Sequence, residues 1–207
     1  MNLELLCGNI KGILFCLSCY NNFTLRRKKQ IAQNEGKKFE SAFVKSIPDH
    51  VLVKRLNDNA SVWSGGDNTR FASSNECDFI LFDDNTRTMY GLELKSTKEK
   101  SLTFFREDFE DKNKKQTFQI RKCQVQGLTK WSKHKGVFGF VINFRSIENR
   151  TFFIYIEEFL KYTSTLSKKS ISFDDVLQMN SVEINNHIIR TNYKYDVEDF
   201  LNKTKID

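Results

Sequence analysis

Apolar residues recur at helical spacing from Asn34 onward: Phe39, Phe43, Val44 and Ile47 share one stripe and Pro48 ends it, so a helix is predicted there. The period then changes. Val51 to Leu56 reads as a strand, and Cys77 to Phe82 and Met89 to Lys95 read as two more, joined by the turn-forming run Asp83-Asp84-Asn85-Thr86-Arg87-Thr88. These two are predicted to form a β-hairpin. Asn57 to Glu76 is polar, contains Gly65-Gly66, and is predicted as a loop of a length that points to function or disorder. Residues 98 to 117 mix both charge signs with Phe104, Phe105 and Phe109 and suggest an irregular flap. A long helix is predicted from Thr117 to His134, then strands at Val137 to Phe144 and Phe152 to Ile156 and a helix at Glu157 to Tyr162. The tail predicts a strand near Val182 to Ile189 and a last helix near Val197 to Lys203. Strands interleaved with helices indicate an α/β domain. Residues 1–25, apolar and cysteine-bearing, read as an extension, with the domain spanning 26–207.

Composition narrows the function. Thirty-three Lys and Arg against 26 Asp and Glu give a net charge of +7. That excess favours a polyanionic partner, because each phosphate neutralised releases condensed counterions. The basic arm Arg26-Arg27-Lys28-Lys29 is suited to phosphate contact, as are Lys37 and Lys38; Arg70 and Trp63 in the polar loop are further candidates to touch nucleic acid. The alternatives are a solvated helix start for the arm and a Trp63 that packs back on the body. Five cysteines, an odd number, show no spacing of a secreted disulfide framework, and Cys16-x-x-Cys19 lacks the second ligand pair a structural zinc site needs. The apolar run Ile13 to Tyr20 is too short to span a bilayer and carries its basic cluster on the wrong side for a signal peptide. A cytoplasmic protein with no membrane partner is expected.

The candidate chemistry lies in the hairpin. With a symmetric six-residue loop, paired positions sum to 171, which sets Phe82 against Met89, Ile80 against Gly91 and Asp78 against Glu93. Opposed residues share a face with Cβ atoms about 4.5–5.5 Å apart. Two carboxylates so placed repel each other, and a divalent cation between them reverses the sign of that interaction. Lys95 joins the same face by alternation, while Leu92 and Leu94 point to the core. Hard oxygen ligands suit Mg²⁺, which polarises a phosphate and acidifies a bound water, with Lys95 offsetting developing charge. Glu40 lies on the apolar stripe of the first helix, where an unpaired carboxylate costs roughly several kcal/mol, so a partner or a metal is expected. Gln124 lies on the stripe of the long helix with Ile120, Leu128 and Trp131, and its amide needs partners: Lys95, an active-site water, or core backbone.

These pieces resemble the PD-(D/E)xK nucleases, and within them the RecU-like Holliday-junction resolvases, including phage versions. Asn34-Glu35-Gly36-Lys37-Lys38-Phe39-Glu40 looks like their N-terminal NxGxxxE helix signature, Cys77-Asp78-Phe79-Ile80 like the motif of the first metal-ligating Asp with cysteine for proline, and Glu93-Leu94-Lys95 like the ExK element. Cys123-Gln124-Val125 resembles the following His-Gln-Ile helix, in which only Gln124 carries over. The resemblance covers about residues 34 to 156, with an extension through Tyr193 to Leu201. It implies a restriction-endonuclease-like mixed central sheet flanked by helices, with catalytic Asp78, Glu93, Lys95, Gln124 and Glu40 and metal-binding Asp78, Glu93 and Glu40. It also implies Mg²⁺ or Mn²⁺, a homodimer, and symmetric nicking of four-way DNA junctions in recombination or repair, at the nucleoid or in the host cytoplasm of a phage. The insert Lys98 to Thr117 is longer than in the bacterial enzymes. A duplex or flap nuclease of the same superfamily, or a DNA-binding module with an idle site, remain the alternatives.

Overall fold

The computed structural model describes residues 35–56, 75–109 and 117–206. The expected extension at 1–25, the basic arm at Arg26 to Lys29, and Trp63 and Arg70 lie outside them. The first helix, α1, covers residues 35–44. Its last turn is closed by Ser46, whose hydroxyl donates to the Ala42 carbonyl at 2.8 Å, two residues ahead of Pro48.

Six strands make the central sheet: β1 (Val51–Arg55), β2 (Phe79–Asp83), β3 (Thr88–Thr97), β5 (Val137–Phe144), β6 (Arg150–Tyr155) and β8 (Ser181–Ile184), side by side in that order. Neighbours are antiparallel except β3 and β5, which run parallel, so the sheet is mixed. A parallel pair needs a crossover, and the chain between β3 and β5 supplies it through α2 (Lys122–Trp131). All eight residues of β5, VFGFVINF, are buried. The strand is covered on both faces, which is why its sequence is a continuous apolar run rather than an alternation. Two glycines are required by close approach. A Cβ at Gly139 of β5 would lie 2.0 Å from the Ile154 carbonyl oxygen, and one at Gly91 of β3 would lie 2.7 Å from the Phe138 ring.

Alternation along the strands divides the apolar side chains into two cores. On one face Phe138, Phe140 and Ile142 meet Val125 and Leu128 of α2, Ile156 and Phe159 of α3 (Ile156–Ser164), and Val176 of α4 (Phe173–Gln178). On the other, Leu92, Leu94 and Val141 meet Phe39 and Phe43 of α1 and Val197, Phe200 and Leu201 of α5 (Val197–Thr204). Burying one such ring fully contributes on the order of 2–3 kcal/mol. The result is a mixed α/β domain with helices on both faces of its sheet, as expected from the sequence.

Several elements differ from expectation. The hairpin register has the expected sum, Phe82 against Met89 and Ile80 against Gly91, but Asp83 pairs with Thr88, so the loop is shorter than six residues. The Asp83 carboxylate accepts from Asn85 N at 3.0 Å and Thr86 Oγ1 at 2.7 Å, and Arg87 takes a positive φ of 54° to close the turn. The long helix expected from Thr117 begins only at Lys122. Ile120 is held instead by backbone hydrogen bonds to Thr103 and Phe105, which occupy the N–H and carbonyl a helix would use. The irregular flap expected over 98–117 is replaced at its start by β4 (Ser101–Thr103), paired with β7 (Ser170–Ser172), because Leu102, Phe104 and Phe105 are buried. The strand expected over 182–189 is two strands in different sheets. β8 belongs to the central sheet, while β9 (Asn186–Ile189) pairs with β10 (Asn192–Tyr195) in a separate two-stranded ribbon. α3 also runs two residues past its predicted end at Tyr162.

Candidate functional site

β2 enters the sheet through Cys77 and Asp78. The regular β2–β3 ladder ends at the Phe79–Leu92 pair; just before it the Asp78 N–H donates to the Leu92 carbonyl at 3.1 Å, one residue out of register, and the Asp78 charge still acts on Glu93. The Asp78 carboxylate reaches across to β3, Oδ2 accepting from the Leu94 N–H at 2.9 Å. Cys77, where the nuclease motif carries proline, is 1% exposed in the core under α2, and its thiol donates to the Phe79 carbonyl at 3.4 Å. Burial, with the nearby Glu93 and Asp78 charges, pushes that thiol up to about 12, so it acts as a small apolar residue and not as a nucleophile.

Glu93 and Lys95 project from β3 to the face covered by α2. Alternation set them opposite the core-facing Leu92 and Leu94, yet Glu93 too is only 2% exposed beneath that helix. Two donors meet its Oε1: the Lys95 ammonium at 2.8 Å and the Gln124 side-chain amide. Burial, reinforced by the Asp78 charge and opposed by Lys95 and Arg121, pushes the Glu93 carboxyl up to about 7.

Gln124 sits in the first turn of α2 and is used at both ends. Its carbonyl oxygen accepts from the Arg121 backbone N–H at 2.9 Å, while its NH₂ reaches Glu93. One side chain therefore satisfies an orphan amide at the helix start and fixes the carboxylate on β3.

Glu40 is half-buried on α1 and is paired with Arg55 at the end of β1, N to O 2.6 Å. Burial lifts its carboxyl above the usual carboxylate range and the Asp78 charge lifts it further, while Arg55, Lys37 and Lys95 oppose the rise. Glu40, Asp78, Glu93, Lys95 and Gln124 thus form one electrostatic neighbourhood at a corner of the sheet. Lys37 and Lys38 are exposed on α1. Arg55 and Arg121 are the charged members that sequence reasoning missed. The visible signals for them were a basic residue closing the first strand and one three positions before Gln124.

Among the described residues no group of three or more His, Cys, Asp or Glu is placed to hold a metal ion. A pair of carboxylates is still a sufficient protein contribution for Mg²⁺, which keeps several waters and takes further oxygens from a substrate phosphate. The donor set of Asp78 and Glu93 fits such an ion by chemistry: burial is the main cause of the raised Glu93 carboxyl, and the smaller part that comes from the Asp78 charge is what a cation would relieve.

No helix among the described residues is long and apolar enough to cross a membrane. No protein-family model matches the chain. It is 30% identical over 141 residues to the SPbeta prophage-derived uncharacterized protein YotM of Bacillus subtilis (strain 168), a match covering 67% of this chain and 64% of that relative's length. Among solved structures it is similar to Hjc, a Holliday junction resolvase from Archaeoglobus fulgidus, with a TM-score of 0.42 and 12% identity over 69% of this chain and 92% of that one.

Proposed function

We propose that this chain is a divalent-metal-dependent DNA endonuclease that nicks four-way junctions, acting as a homodimer in recombination or repair. The observation that carries the chemistry is the Glu93 carboxylate: buried, lifted to about 7, and held by Lys95 and Gln124 beside Asp78. A purely structural carboxylate at that depth would cost stability without return, and perturbed carboxylates facing a charge partner gather at reactive centres. The choice of a junction rests on the RecU-like motifs in 34–40, 77–80, 93–95 and 123–125.

In this reading Asp78 and Glu93 would hold Mg²⁺ or Mn²⁺, with Glu40 as a further carboxylate that would bind through water. When bound, the ion supplies Lewis-acid polarisation of the scissile phosphate and lowers the pKa of a water. Lys95 offsets charge developing on the phosphate oxygens and helps orient the attacking water. Gln124 holds the Glu93 carboxylate in a single rotamer, so the reacting geometry is set before DNA arrives. Lys37 and Lys38, with the basic residues at 26–29 and Arg70, supply phosphate contacts.

The test is cleavage of a synthetic four-way junction and of a linear duplex of the same sequence, with Mg²⁺ and with EDTA. Paired symmetric nicks on the junction, abolished by EDTA, are expected. Equal cutting of the duplex replaces the junction with a general duplex substrate, and binding without cleavage in any metal leaves only a DNA-binding module.

Gly127 offers a separate check on how Asp78 is positioned. A Cβ there would fall 2.3 Å from Glu76 Cβ and 2.8 Å from Glu76 Cα, so α2 lies directly against the backbone leading into Asp78. Gly127→Val is expected to push that segment away at a packing cost of about 1–3 kcal/mol. The cleavage rate at saturating junction should fall at least tenfold, by the sensitivity of such sites to sub-ångström displacement, with junction affinity little changed. Unaltered single-turnover rates would show that this packing does not set the site.

A further inference from the structure

The β9–β10 ribbon is the part of the described molecule that the proposed chemistry leaves unused. All eight residues from His187 to Lys194 are exposed, including Ile188 at 61%, Ile189 at 49% and Tyr193 at 37%. Pairing sets Ile188 opposite Tyr193 on one face and His187 opposite Lys194 on the other. The turn between the strands is Arg190-Thr191, with Arg190 at a φ of 59°. That conformation favours Gly, Asn or Asp and costs an Arg on the order of 1 kcal/mol. Residues 185–195 contain Arg190 and Lys194 and no Asp or Glu, whereas α5, immediately after, opens with Asp196, Glu198 and Asp199.

The root of this ribbon, unlike its tip, is packed inward and tied to the elements of the site. Asn186 donates to the Asn149 carbonyl at 3.0 Å, and the Tyr195 hydroxyl accepts from the Asn149 amide at 3.2 Å. The Asn149 Oδ1 in turn accepts from Asn143 at 2.9 Å, and Asn143 Oδ1 accepts from Ser96, the neighbour of Lys95, at 2.9 Å. Tyr195 also packs edge-on against Phe39 of α1, one residue from Glu40, with ring centroids 5.5 Å apart. A free tip on a root fixed to both β3 and α1 keeps a set position relative to the carboxylates.

We propose that the β9–β10 ribbon is a DNA-gripping arm, which enters a groove beside the scissile site with Arg190 and Lys194 on phosphates and Ile188 and Tyr193 against the groove wall. The inference rests on the nuclease reading for its choice of DNA. A two-stranded ribbon has the width a major groove admits, and its charge is complementary to a polyanion. A second copy of the chain fits less well. Two-fold pairing of identical patches would bring two positively charged, acid-free ribbons together, and eight residues fall short of the roughly 20–30 a side that stable interfaces use.

The test compares the Arg190→Gly/Lys194→Gln variant with a charge-matched control, Lys133→Gln/Lys161→Gln, whose lysines are exposed elsewhere on the domain. Both are measured for affinity to a four-way junction and to a duplex across a salt series, for melting temperature, and for mass by sedimentation. Gly suits the turn, so the arm variant should melt no lower than the native chain. Its dissociation constant should rise at least tenfold, and its log–log salt slope should fall by about two, one for each phosphate no longer neutralised. The control should show the smaller change. Equal weakening in the two variants, an unchanged salt slope, or a change of mass confined to the arm variant would each overturn the arm. Because affinity is read without cleavage, failure of the nuclease reading and failure of the arm appear in different measurements.

Discussion

Glu93→Gln is expected to raise the stability of the protein while abolishing its cleavage. The carboxyl titrates near 7 in the folded state against 4.5 when unfolded. Between those values the native state keeps a proton that the unfolded chain releases, so this group's contribution is fully present below about pH 4.5 and is lost as pH rises through 7. A shift of that size corresponds to something on the order of 3 kcal/mol of destabilisation at pH 8. Gln has no charge to desolvate and keeps an oxygen for Lys95 and Gln124. Melting at pH 8 should therefore rise by roughly 5–10 °C, and the fall in stability between pH 5 and 7.5 should flatten. Nicking should drop by at least about a thousandfold, the scale seen when a group that stabilises transition-state charge is removed. A variant that melts lower than the native protein at pH 8 would mean that the ion pair with Lys95 outweighs burial.

Asp78→Asn separates cutting from holding. Asn keeps the oxygen that accepts from the Leu94 N–H, so β2 and β3 should stay in register. What disappears is one of the negative charges that would hold a cation. Cleavage should be lost in Mg²⁺, by about a thousandfold or more, while gel-shift affinity for a four-way junction in Ca²⁺ or EDTA stays within about threefold, because the basic surface is untouched. Retained nicking by this variant would refute the assignment of the site.

The hairpin register and the mixed α/β class were legible from local rules, alternation on strands and a turn-forming run between β2 and β3; helical spacing showed that Glu40 and Gln124 face inward, and only the resemblance to the nuclease motifs grouped them with Asp78, Glu93 and Lys95. Glu93's burial was not legible, since alternation assigns a face without saying what covers it; α2 does so only after the crossover brings it back over β3. The Arg55–Glu40 pair depends on α1 lying beside β1. The predicted helix start at Thr117 failed for a related reason. Ile120 has helical spacing, yet Thr103 and Phe105 claim its backbone, a tertiary demand that overrides local preference. In the tail the apolar residues on either side of Asn185-Asn186 read as one strand, yet the change of partner falls at that Asn pair, where the Asn185 carbonyl accepts from the Asp196 N–H.

The parallel pairing of β3 with β5 also governs when the Glu93, Lys95 and Gln124 cluster first assembles during synthesis. A nascent chain that has emerged only as far as Lys95 carries both carboxylates and the lysine, but has neither the strand that flanks them nor the helix that supplies Gln124. Closing so long a loop is slow relative to local hairpin formation. On the nuclease reading, a product that stops short of α2 is expected to lack the activity of the full chain, because Glu93 then has no amide from Gln124 to hold it.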